Sequence, residues 1–185
     1  MLPLMIDVTD KKVTVVGGGR VAYRKLSVFL QHGASVTVVS PRAIIEIEDL
    51  YREGRVTWIK REACTEDLLD AFIVIAATDV RQVNEWVKET AGHHQLVCVA
   101  DQGSEGTLQM TSFHQQGSLT ISVSTNGASP LVGKRLCDTF SQQCDEAFVE
   151  RLNKIGERRR ELISSSCSTE EKRRLLRELA DKIIG

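Results

Sequence analysis

Between Lys12 and Val99, short β-branched runs alternate with helix-like segments, and this alternation constrains the fold more than any other feature of the chain. Val13-Thr14-Val15-Val16, Val36-Thr37-Val38-Val39, Val56-Thr57-Trp58-Ile59, Ile73-Val74-Ile75-Ala76 and Leu96-Val97-Cys98-Val99 read as strands. Helices are expected over Arg20 to His32 (stopped by Gly33), around Ile44 to Glu53, and over about Arg81 to Ala91. Nearly continuous apolar strands have no solvent face, so they belong to a parallel sheet covered on both sides. The fixed hand of the crossovers leaves an α/β, Rossmann-like doubly wound parallel sheet as the expected fold.

After Asp101 the pattern changes. Leu108 to Gln115 and Leu119 to Ser124 read as two strands around a Gly117-Ser118 turn, an antiparallel hairpin. Ser129-Pro130 opens a helix, with Ser as cap and Pro at the first helical position. It runs past Arg135 and Phe140 and, with a break, reaches Ile163. Ser168-Thr169-Glu170-Glu171 is a capping box for a last helix, Thr169 to Ile184. The expected organisation is a cofactor-binding domain at 1–107, a small α+β dimerisation and substrate region at 108–145, and a helical tail at 146–185. A short hairpin with two helices buries little surface alone, so a homodimer is expected.

Composition narrows the function classes. Of 185 residues, 42% are hydrophobic and 26% charged, with a formal net charge of -1, which gives no reason to expect nucleic acid as a partner. No apolar run approaches the ~20 residues that span a bilayer. Met1 to Lys12 lacks a basic segment followed by a long apolar one, so no secretory leader is expected. Cysteines at 64, 98, 137, 144 and 167 form no Cys-x-x-Cys pair, which speaks for a reducing, cytoplasmic setting and against a zinc site. Residues 151–185 hold ten Lys/Arg against six Asp/Glu, a basic appendage on an acidic body.

Gly17-Gly18-Gly19-Arg20-Val21-Ala22 follows the first strand and opens the first helix, matching G-x-G-x-x-A. Gly17 permits the tight turn, Gly19 lets backbone approach a pyrophosphate, and Ala22 allows close helix–strand packing. The helix N-terminus offers free amides to phosphate. The acidic residue that usually follows about 20 positions on, to hold an NAD ribose, is missing; the second strand ends Ser40-Pro41-Arg42. Arg42 suits a 2′-phosphate, an adenine face or solvent, so these residues leave NAD against NADP open. Thr78 and Asp79 follow the fourth strand and Asp101 follows the fifth, on the edge where open α/β sheets bind ligands. Asp101 there could move a proton beside a nicotinamide, or merely bond loop amides. Ser122, Ser124, Thr125, Asn126 and Ser129, with Lys134 and Arg135 one turn into the next helix, form a candidate carboxylate-binding rim, although turn and cap duties also explain most of them. His114 has no second ligand at metal spacing and reads as structural, and Arg158-Arg159-Arg160 as a solvated helix face.

Taken together, Leu2-Pro3-Leu4, Val15 to Ala22 with Arg24-Lys25, Val74 to Asp79 with Asn84, Val97 to Asp101, and Ser124 to Pro130 resemble the precorrin-2 dehydrogenase family. The same module stands at the N-terminus of bifunctional sirohaem synthases. The resemblance covers residues 1–140 closely and the tail loosely. It implies oxidation of precorrin-2 to sirohydrochlorin with NAD as hydride acceptor, and an intertwined homodimer. By the same resemblance, Asp101 is the functional aspartate, Gly17, Gly19, Arg20, Val21, Pro41, Arg42 and Thr78 hold the cofactor, and Ser124, Thr125 and Asn126 with Lys134 and Arg135 meet the carboxylate-rimmed substrate. Some family members also insert iron. Here Cys98, Ala100, Gly103, Leu108 and Thr111 depart from the family pattern around the substrate site, which weighs against metal insertion. The rival reading is a nucleotide-sensing regulatory module, which would ordinarily carry the ribose-binding acid and would not need the Ser124 to Pro130 segment. A short-chain dehydrogenase is excluded, since Tyr23 and Tyr51 are followed four residues on by Ser27 and Arg55 rather than Lys.

Overall fold

Strands β1 (Lys12–Val16), β2 (Ser35–Val39), β3 (Thr57–Ile59), β4 (Ile73–Ala76) and β5 (Leu96–Val99) form one sheet in the order β3-β2-β1-β4-β5, every pair parallel. They belong to a computed structural model that describes residues 1–100 and 105–184. In register, Val13 lies between Val36 and Ile73, and Val16 between Val39 and Ala76. Helices α1 (Arg20–Gln31), α2 (Ile45–Arg52) and α3 (Arg81–Thr90) make crossovers, with a single 3₁₀ turn at Thr65–Asp67 between β3 and β4.

Side chains alternate between the two faces of a strand. Val13, Val15, Val36, Val38, Ile73 and Ile75 join Leu26 and Phe29 of α1 and Ile47 of α2 in one core cluster. Val16, Val74 and Ala76 join Leu68, Ala71 and Val87 of α3 in a second, on the opposite face. Both faces are covered, which is why the strands lack polar alternation. Burying each of these Val, Leu or Ile side chains is worth ~1.5–3 kcal/mol.

Two compact units divide the chain, Met1–Met110 and Thr111–Gly185. In the second, β6 (Ser112–Gln116) and β7 (Leu119–Val123) pair antiparallel around Gly117, whose φ of 56° suits the turn. The hairpin begins at Ser112 rather than at the expected Leu108. Leu108 and Met110 instead pack on the core of the first unit, and the Leu108 N–H donates to the Val97 carbonyl at 2.9 Å. Helix α4 (Pro130–Gln142) has Ser129 as its cap, Oγ accepting from the Val132 N–H at 3.3 Å. Gly133 and Cys137 are its buried residues. The Cys137 thiol reaches the Ile121 carbonyl of β7, and burial raises its pKa. The expected break follows, and Asp145 caps α5 (Glu146–Ser164) by accepting from the Phe148 N–H at 2.8 Å. The tail ends in α6 (Thr169–Ile184).

Candidate functional site

The glycine turn after β1 is shaped by its neighbours. Gly17 has a φ of 125°, a region L side chains rarely adopt, and a Cβ there would collide with the Ala77 carbonyl oxygen after β4. Its N–H donates to the Val39 carbonyl at 3.0 Å, while the Ala77 N–H donates to the Val16 carbonyl at 2.8 Å. The turn is thus tied to β2 on one side and β4 on the other. Gly18 is equally constrained. A Cβ there would collide with the Arg42 carbonyl oxygen, and the Ile44 N–H donates to the Gly18 carbonyl at 2.9 Å. Gly19 differs, since a Cβ would meet nothing within 4 Å and its backbone is extended. The requirement for glycine at Gly18 went unseen in the sequence because its partner lies 24 residues downstream.

Helix α1 begins at this open position without a side-chain cap and without an acidic residue in its first turn. Its first amides therefore keep their partial positive charge for an external anion. A cleft of about 1140 Å³ opens here, at the point where the sheet order reverses between β1 and β4. All the expected cofactor residues, Gly17, Gly19, Arg20, Val21, Pro41, Arg42 and Thr78, line it, as does Asp79.

Thr78 is also tied into its own segment. Its hydroxyl lies 2.8 Å from Asn84 Oδ1 and 3.0 Å from the Val80 carbonyl, and it accepts from the Val80 N–H at 3.2 Å. Asn84 Oδ1 also accepts from the Thr78 N–H at 3.0 Å, and Nδ2 donates to the Thr78 carbonyl at 3.1 Å. Asn84 is 1% exposed, so a buried amide staples the segment after β4 into the cleft wall. The hydroxyl of Thr78 is thereby engaged within the protein. Ala100, after β5, also lines the cleft and donates its N–H to the Ala76 carbonyl at 2.9 Å. Asp101 lies outside the described residues.

The β2 side of the cleft is braced by a second polar set. Trp58 Nε1 donates to the Ser40 carbonyl at 3.0 Å, and Ser40 Oγ donates to the Arg42 carbonyl at 2.7 Å. Beyond β3, Arg61 grips Asp67 with its two terminal guanidinium nitrogens, Nη1 and Nη2, at 2.6 and 2.7 Å, and Nη1 also donates to the Glu62 carbonyl at 2.9 Å. The Asp67 side chain is 5% exposed and also accepts from the Cys64 N–H at 2.8 Å. These donors, Arg61 first, hold its pKa down at about 2 despite burial. Glu62, Ala63, Val83 and Trp86 complete this wall and were not singled out from sequence. Only the helical spacing of Val83, Trp86 and Val87 hinted that α3 carries an apolar face.

In the second unit, the Ser124 to Ser129 segment spends much of its polarity on its own turn. Ser124 Oγ accepts from the Asn126 N–H at 3.1 Å, and Thr125 Oγ1 accepts from the Ser129 N–H at 3.1 Å. Asn126 takes the left-handed conformation, φ 49°. Lys134 and Arg135 are exposed on α4 and form no ion pair among the described residues. His114 sits on β6 opposite Ile121, and no group of three potential metal ligands occurs among the described residues. Arg158 pairs with Glu161 at 2.6 Å on the exposed face of α5.

Comparison with known proteins gives a consistent set of likenesses. A family model described as "Putative NAD(P)-binding" matches residues 4–112. The chain is 41% identical over 161 residues to a precorrin-2 dehydrogenase of Bacillus subtilis, spanning 86% of this chain and 99% of that one. It is 35% identical to a precorrin-2 dehydrogenase of Priestia megaterium, over 98% of this chain and 90% of that one. Among solved structures, SirC, a precorrin-2 dehydrogenase, superposes with a TM-score of 0.79 at 35% identity, covering 97% of this chain and 89% of the other.

Proposed function

Since the chain belongs to the precorrin-2 dehydrogenase family, we propose that it oxidises precorrin-2 to sirohydrochlorin with NAD as hydride acceptor. The observation that carries the reading is the cleft at the sheet's switch point, where a Cβ-free Gly19 and the uncapped start of α1 meet in a chain this similar to known precorrin-2 dehydrogenases. Its size and its open amides fit a dinucleotide. Bound there, NAD supplies the two-electron acceptor.

The chain's own residues bind, orient and handle charge. Backbone amides at Gly19, Arg20 and Val21 are suited to the pyrophosphate, and the fixed Ala77–Thr78 segment forms a rigid wall beside it. Lys134 and Arg135 offer positive charge to the carboxylates of the substrate, with the Ser124–Asn126 turn beside them in sequence. Oxidation also releases a proton, and we assign its acceptance to Asp101, which follows the cleft-lining Ala100. A homodimer fits the second unit, where Leu131, Val132, Leu136 and Phe140 of α4 are 42–58% exposed, an apolar stripe that association would cover. Sedimentation at micromolar concentration tests that pairing. Among the described residues no helix is long and apolar enough to cross a membrane, and a cytoplasmic location suits the five free cysteines.

Anaerobic turnover of precorrin-2 with NAD, without added metal, tests the activity. NADH and the sirohydrochlorin spectrum should appear together. Tight NAD binding without turnover would favour the nucleotide-sensing alternative. In Asp101→Asn, NAD affinity should persist while kcat falls by ~10²-fold or more. Unchanged turnover would remove Asp101 from the chemistry.

A further inference from the structure

Dinucleotide sites of this architecture ordinarily hold the adenosine ribose through a carboxylate at the end of the second strand. In this chain β2 runs out into Ser40-Pro41-Arg42, which offers none. Nor can that loop rearrange cheaply to bring one in. It is sealed onto the glycine turn through the Arg42 backbone at Gly18, through the Ile44–Gly18 hydrogen bond, and through Ser40 Oγ on the Arg42 carbonyl.

A carboxylate reaches the same corner from the neighbouring strand. β3 is the edge strand beside β2, and the two stay bonded one residue past their register, with the Ser40 N–H donating to the Ile59 carbonyl at 3.1 Å. Residues just beyond Ile59 therefore emerge beside the end of β2. Glu62 is three positions on and lines the cleft. Its backbone is fixed by Arg61, whose guanidinium binds the Glu62 carbonyl and, through two short bonds, the nearly buried Asp67. The Glu62 carboxylate itself is exposed and forms no ion pair among the described residues. Asp79 also lines the cleft, but it follows β4, two strands from β2 and so about 10 Å away at ~4.8 Å per strand.

We propose that Glu62 is the specificity residue at the adenosine end of the cleft, accepting from the ribose hydroxyls and repelling a 2′-phosphate. The inference rests on the reading of this cleft as the NAD site. A carboxylate fixed at its backbone but free at its head accepts from a diol with little reorganisation, and stands against a second anion brought to the same place. Arg42 alone would favour the phosphorylated cofactor. With Glu62 lining the same cleft, the balance turns to the unphosphorylated one.

The test uses ADP-ribose and 2′-phospho-ADP-ribose, which carry the adenosine end without the nicotinamide, titrated into the full chain by calorimetry or by fluorescence of the cleft residue Trp86. The wild type should prefer ADP-ribose by about 10-fold or more, and Glu62→Gln should shrink that preference to within about 3-fold, losing charge repulsion and one ionic acceptor. Because Glu62 is exposed, near-ultraviolet circular dichroism should be unchanged in the variant. A preference equal in wild type and variant overturns the assignment. So does a variant that keeps it but loses discrimination between NAD and its hypoxanthine analogue, since Glu62 would then read the base. If the wild type binds neither probe, the reading of the cleft as the NAD site fails before Glu62 is tested.

Discussion

Two adjacent glycines should respond in opposite ways to the same added methyl group. In Gly18→Ala the new Cβ meets the Arg42 carbonyl oxygen and lies 2.9 Å from the Ala43 Cα, both backbone atoms that cannot swing aside. Relieving that overlap costs ~1–3 kcal/mol. The displaced loop also strains or loses the Ile44–Gly18 hydrogen bond, ~1 kcal/mol more. The sum is a loss of ~2–4 kcal/mol without any ligand. With a urea m-value of ~2 kcal/mol/M, the midpoint should fall by ~1–2 M. Gly19→Ala meets nothing within 4 Å and keeps an allowed extended backbone, so its stability should stay within ~0.5 kcal/mol of wild type or rise slightly as the unfolded chain stiffens. Its Cβ would nevertheless occupy the space a pyrophosphate needs, and the Kd for NAD should rise ~10-fold or more. Trp58 and Trp86, the chain's two tryptophans, both lie in the Met1–Met110 unit, so their fluorescence reports its unfolding in urea, and NAD titration supplies the second axis. Equal destabilisation by the two variants, or wild-type NAD affinity in Gly19→Ala, would refute the division of labour between them.

Two further perturbations probe the braces of the cleft. Asn84→Ala removes the acceptor for the Thr78 N–H and the donor to the Thr78 carbonyl, so it should cost ~2–4 kcal/mol in urea melts and weaken NAD several-fold as the segment after β4 loosens; wild-type stability would show the staple to be dispensable. Asp67 has a folded pKa of about 2 against an ordinary 3.8, so its contribution is fully present above about pH 4–5 and is lost as pH falls through 2. That loss amounts to at most ~2 kcal/mol, tempered by the half-exposed Arg61 partner. Asp67→Asn should flatten this portion of the acid stability curve, and an unaltered acid slope in the variant would contradict the pairing.

The parallel sheet was legible because each strand is covered on both faces, so the burial that organises it is written locally as apolar runs such as Val13 to Val16 and Ile73 to Ala76. The glycine turn was legible for a similar reason, since its spacing carries its own geometry. What escaped depends on which segments of the chain become neighbours. Gly18 needs Arg42, the Asn84 staple needs Thr78, and Glu62 needs β3 to lie beside β2. Leu108 read as the start of a hairpin because its apolar pattern fits a strand, yet the first unit's core claims it.

The hydroxyls of the Ser124–Ser129 segment perform turn and cap duties. A count of hydroxyls overstates a binding rim when each can serve the backbone first, and here Ser124, Thr125 and Ser129 all accept from main-chain N–H groups. Those hydroxyls keep at most their remaining hydrogen-bonding capacity for an outside group, while Lys134 and Arg135 are exposed and form no ion pair among the described residues. On the proposed reading, attraction of a polycarboxylate substrate in this part of the chain would therefore fall more heavily on these two cations than on the serine-rich turn.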